Sequence, residues 1–100
     1  MTGMHTRADR IAARLTEAFA PALLQVADES ARHAGHAGAQ PGGETHYALL
    51  MVATAFQGQG RLARSRAVHA ALAGEFATGL HALSLTLRTP AEHAAASARA

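Results

Sequence analysis

The chain has no cysteine, no tryptophan and no lysine, and only 4% of its 100 residues are aromatic. Without cysteine it can form no disulfide, and it has neither a thiolate nucleophile nor a thiolate metal ligand. Without lysine, all 9 basic side chains are arginine; against 7 acids they leave a formal charge of +2. So small an excess permits contact with nucleic acid but does not require it. The aromatics are 3 phenylalanines and 1 tyrosine, too few for the stacking platform that holds single-stranded nucleic acid. No run of about 18 apolar residues is long enough to span a bilayer. The first ten residues show no apolar leader, so a cytoplasmic location is expected. Neither a Gly-x-Ser-x-Gly elbow nor a phosphate-binding loop is present. The carboxylates Asp28, Glu29 and Glu44 have no spacing that asks for acid–base catalysis, so a protein that is not an enzyme is expected.

Against these absences stand 7 histidines. His33, His36 and His46 bracket one glycine-rich stretch that also holds Gly35, Gly38, Gly42 and Gly43. Imidazole is a common ligand for borderline metals and the side chain that changes charge near neutral pH. A flexible loop, residues 31–43, carrying two imidazoles fits a half-built metal site and equally fits a polar loop. Its glycines would let it close with little backbone strain.

The apolar spacing sets the elements. Thr6 and Asp9 form a capping box ahead of a helix over 7–20, with Ile11, Leu15, Ala18 and Phe19 at helical intervals and Pro21 as its stop. Alternation around Leu24 and Val26 predicts a strand over 23–29. A second strand over 45–54 has Tyr47, Leu49 and Met51 on one parity and Ala48, Leu50 and Val52 on the other, as a central strand would. Phe56 to Gly60 reads as a turn, and residues 61–76 as a helix with Val68, Leu72 and Phe76 on one stripe. Gly79 is its stop. A third strand over 80–88 carries Leu83, Leu85 and Leu87. Thr89, Pro90 and Glu92 then start a short alanine-rich helix.

The order α-β-β-α-β-α, in a single domain over residues 1–100, predicts an α+β fold with helices packed on a three-stranded mixed sheet. The first two strands make a hairpin. About 25 residues join the second to the third, enough for a helical crossover and hence a parallel pair. In that geometry His81, at the start of the third strand, lies at the same rim as His46 and the histidine loop. In an antiparallel geometry it would sit roughly 20 Å away, at about 3.3 Å per residue. His69 in the second helix reads as a solvated or interface position. Arg61, Arg64 and Arg66 cluster at that helix's start, where arginines can meet phosphates.

Asp28-Glu29-Ser30, His33, Glu44-Thr45-His46-Tyr47, Phe56 with Gly58, Arg64-Ser65-Arg66 leading to Val68, and His81-Ala82-Leu83 ahead of Thr89-Pro90 together resemble the BolA family over about residues 8–92. Where the family usually has Arg-His-Arg, this chain has Ser65 in the middle position. The resemblance implies a class II KH-like fold and two functions. The first is partnership with monothiol glutaredoxins in iron–sulfur cluster assembly and trafficking, through a shared [2Fe-2S] cluster. His81 and His33 would be the ligands from this chain, with His36 the alternative to His33, and the glutaredoxin cysteine and glutathione would supply the thiolates. A four-ligand centre can take two histidines on one iron, so a chain without cysteine can complete only half of it. The second is regulation of transcription through DNA, with Arg61, Arg64 and Arg66 as the contacts. Alone, the chain is expected to be a monomer or a weak homodimer.

Overall fold

The computed structural model describes residues 6–29 and 45–98. Helix α1 (Arg7–Phe19) is followed by strands β1 (Leu23–Asp28) and β2 (His46–Val52). A 3-10 turn (Thr54–Phe56) then leads to helices α2 (Arg61–Ala71) and α3 (Ala73–Ala77), strand β3 (Ala82–Arg88) and helix α4 (Pro90–Ala98). The sheet order is β1-β2-β3, with β1 antiparallel and β3 parallel to β2. The expected mixed three-stranded sheet and its crossover are therefore present.

Local chemistry explains most boundaries. Thr6 and Asp9 make the reciprocal cap of α1, Asp9 N donating to Thr6 Oγ1 at 3.1 Å and Thr6 N to Asp9 Oδ2 at 3.2 Å. Thr89 and Glu92 repeat the device at α4, with bonds of 2.8 and 3.2 Å. Proline as the first residue of α4 removes an N–H that would have no helical partner.

The expected helix over 61–76 is broken. Leu72 leaves helical geometry (φ −103°, ψ 14°), and its N–H reaches both Val68 O and His69 O, at 3.1 and 3.2 Å. Val68 and Leu72 are still buried, at 0% and 1% exposure. Val68 and Leu72 keep their burial while the axis is redirected into α3, where Phe76 is half-buried.

The core lies on one face of the sheet. In register, Leu24 faces Met51 and Leu87, and Val26 faces Leu49 and Leu85. Ile11, Leu15, Val68 and Leu72 pack over them from the helices. Phe56, expected only as part of a turn, is a core residue at 0% exposure, its ring 5.4 Å from that of Phe19. On the opposite face Gln25, Ser84 and Thr86 are exposed.

Candidate functional site at the leading rim of the sheet

The parallel pairing puts His46 opposite Ala82, so His81 falls at the same rim. The two imidazole rings are tilted at 49° with centroids 5.1 Å apart. His46 is buried at 8% exposure while His81 is exposed. Residues 35 apart in sequence thus meet because the crossover is parallel.

Thr45 organises the pair, a role that its place at the start of an apolar strand does not announce. It is 1% exposed. Its carbonyl accepts from His81 N at 2.8 Å and from Ala82 N at 3.1 Å. Its hydroxyl lies 2.9 Å from His46 Nδ1. One threonine therefore fixes the backbone under His81 and directs the ring of His46. The sequence signal was a β-branched hydroxyl residue directly before a strand-start histidine.

The turn that delivers His81 is tied down from α1. Arg7 Nη1 donates to the Glu75 carboxylate at 2.8 Å and to the Glu75 carbonyl at 3.0 Å. Arg7 Nη2 donates to the Thr78 carbonyl at 3.0 Å. Arg10 adds bonds to both Glu75 carboxylate oxygens, at 3.3 and 3.0 Å. The bond from Arg10, first, and the charge of both arginines hold the Glu75 carboxyl below its usual range, against the opposing effect of burial. Gly79 then turns the chain at φ +128°, where a Cβ would stand 3.1 Å from Arg7 Nη2.

His33 and His36 lie outside the described residues, as does the expected flexible loop. Among the described residues no three histidine, cysteine or acidic side chains converge on one point. His69 sits away from this rim, exposed and stacked on Phe76 with centroids 5.2 Å apart. No described helix is long and apolar enough to cross a membrane.

The three arginines of α2 diverge. Arg61 and Arg66 are exposed. Arg64 is 12% exposed and engaged, donating to both Glu92 carboxylate oxygens at 2.6 and 3.1 Å and to the Gln59 and Leu87 carbonyls at 2.8 and 3.2 Å. Its guanidinium also lies 5.6 Å over the Phe56 ring. The bond from Arg64, then that from the Thr89 amide, lowers the Glu92 carboxyl to about 2.

A family profile described as BolA-like protein matches residues 15–92. This chain belongs to the BolA family. It is 43% identical over 82 residues to BolA-like protein 1 of Homo sapiens, covering 82% of this chain and 57% of the relative. To SufE-like protein 1, chloroplastic/mitochondrial, of Arabidopsis thaliana it is 41% identical over 96 residues, covering 92% of this chain and 26% of the relative. To the DNA-binding transcriptional regulator BolA of Escherichia coli (strain K12) it is 40% identical over 77 residues, covering 77% of this chain and 70% of the relative. The chain thus spans about a quarter of the first plant relative and somewhat over half of the human one.

Among solved structures, the BolA domain of SufE1 from Arabidopsis thaliana superposes with a TM-score of 0.80 at 41% identity, covering 90% of this chain and 99% of that one. BolA1 from Mus musculus does so with a TM-score of 0.77 at 34% identity, covering 97% and 76%. The BolA-like fold therefore accounts for nearly the whole chain.

Proposed function

We propose that this BolA-like chain is a binding partner rather than an enzyme, supplying imidazole ligands to a [2Fe-2S] cluster shared with a monothiol glutaredoxin and glutathione. One observation carries the reading: an exposed imidazole, His81, stands on a backbone pinned by Thr45 and beside a second, buried imidazole at one rim. A fixed, exposed imidazole suits a ligand position. The chain has no thiolate, and a pair of imidazoles is half of a four-ligand centre, so the donor set fits a shared site and not a self-contained one.

His81 would be the ligand from the sheet rim, and His33 or His36 the ligand from the loop. When bound, the cluster supplies transferable iron and sulfide. The chain's own residues supply address and orientation: Thr45 fixes the strand start, and Arg7 with Glu75 fixes the turn before it. The complex reconstituted with a monothiol glutaredoxin and glutathione tests this by visible circular dichroism. His81→Ala should abolish bands that distinguish it from the glutaredoxin alone, and His69→Ala should leave them. Unchanged bands in His81→Ala reject the assignment.

A second reading, regulation of transcription through DNA, is favoured by the exposure of Arg61 and Arg66 and by the name of the Escherichia coli relative. With Arg64 committed to Glu92, Arg61 and Arg66 would make the phosphate contacts. Salt-dependent duplex binding that falls on replacing both supports it; binding unchanged by the replacement rejects it.

A further inference from the structure

β3 is an edge strand: its one neighbour in the sheet is β2. Ala82 N and Arg88 O both bond toward β2, to Thr45 O and Ala53 N. Strand alternation then turns the N–H and C=O groups of Leu83, Leu85 and Leu87 outward. Among the described residues, one bond is made on that outer edge, from Arg64 Nη1 to the Leu87 carbonyl at 3.2 Å. The remaining outward groups form a template for another strand.

A cleft of about 740 Å³ runs along this edge. Leu85, Leu87 and Arg88 from the β3 side, Arg61 and Arg64 from α2, and Glu92 from α4 are among the residues that line it. A strand pairing with β3 would lie about 4.8 Å from it, inside the cleft. The charge of the walls selects the occupant. Arg64 and Glu92 balance each other. Arg88 Nη1 lies 3.2 Å from His93 Nδ1, which brings no carboxylate, and Arg61 has no ion pair among the described residues. With Glu92 spent on Arg64, the charges of Arg61 and Arg88 in the lining have no carboxylate partner among the described residues.

We propose that the outer edge of β3 binds an extended acidic peptide segment of a partner protein as a fourth strand, by main-chain pairing to Leu85 and Leu87 and by carboxylates placed on Arg61 and Arg88. This is strand addition, in which main-chain bonds supply affinity and side-chain contacts supply specificity. The site is at the opposite end of β3 from His81 and does not depend on the cluster reading.

The test uses the full chain and an acetylated peptide of about eight residues alternating glutamate and valine, long enough for a typical strand. Three ligands are compared by fluorescence anisotropy and by amide NMR: this peptide, the same peptide N-methylated at alternate backbone positions, and a short duplex DNA. The unmodified peptide should bind and shift the Leu85 and Leu87 amides. N-methylation, which keeps the charge and removes the donors, should weaken binding at least tenfold. Arg61→Glu with Arg88→Glu should do the same while far-ultraviolet circular dichroism shows the fold intact. Equal binding of the N-methylated peptide, or binding that leaves both edge amides unmoved, overturns the proposal. So does duplex DNA shifting those amides while the peptide does not bind.

Discussion

β3 is held at both ends by an arginine–glutamate clasp, and the two clasps differ in burial. At the leading end Arg7 and Glu75 are each 10% exposed as side chains, with Arg10 bracing the carboxylate from outside at 43% exposure. At the trailing end Arg64 is 12% exposed but Glu92 is 49% exposed. Removing one partner of a buried pair strands the other charge away from water, whereas a solvated carboxylate leaves a guanidinium that water can reach. The buried clasp belongs to the rim where the imidazoles meet. The open clasp belongs to the rim with an unpaired strand edge. Burial is thus concentrated where ligand geometry would matter, and the more solvated junction borders a surface that a partner could complete.

Substitutions should separate the two ends. Glu75→Gln should have the largest effect, destabilising the fold by about 3 kcal/mol, the lower end of the range for breaking a buried pair because Arg10 is partly solvated. Urea denaturation measures it. Gly79→Ala should follow at roughly 2 kcal/mol, since it forces a side chain into φ +128° and against Arg7 Nη2; the same denaturation series would read it. Thr45→Val should cost about 1 kcal/mol by removing a buried hydroxyl bond. It should also change the tautomer balance of His46, visible in the 15N shifts of its ring. Glu92→Gln should change stability least at neutral pH.

Acid sharpens the contrast. The folded Glu92 carboxyl titrates at about 2 instead of 4.5, so its contribution is complete above the unfolded value and is lost as pH falls through the folded one. The folded Glu75 carboxyl is also lowered, and the same sign applies. Both clasps therefore weaken in acid and not in base. The stability of Glu92→Gln, followed from pH 6 downwards, should fall less steeply than that of the parent. A parallel slope would show that the open clasp contributes nothing to folding.

Much of the architecture was legible in the chain. The Thr6–Asp9 and Thr89–Glu92 boxes are local chemistry with local outcomes, and both form as expected. The length of the crossover was enough to make β2 and β3 parallel, and that alone brought His81 to His46. Other features needed three dimensions. The break at Leu72 leaves the apolar stripe intact, so periodicity cannot see it. Phe56 looked like a turn residue because the turn around it is real; its ring meets Phe19, which comes from α1, and lies under Arg64 of the helix that follows. Glu75 carried no motif, and the one hint was the spacing of Arg7 and Arg10 along one side of α1. Arg61, Arg64 and Arg66 looked alike in sequence, yet Glu92 claims only the middle one. The role of Thr45 is carried largely by its carbonyl, which every residue possesses, so its hydroxyl ahead of a strand-start histidine is the one part of it that sequence can show.

That carbonyl has a consequence for how the molecule tolerates change. It receives the amides of two consecutive residues, His81 and Ala82, while Arg7 grips the chain at Thr78. The stretch between those two anchors has no slack. Exchanging the imidazole at 81 for another donor would alter the chemistry and leave its address unchanged, whereas adding or deleting one residue between Thr78 and Ala82 would move the address itself.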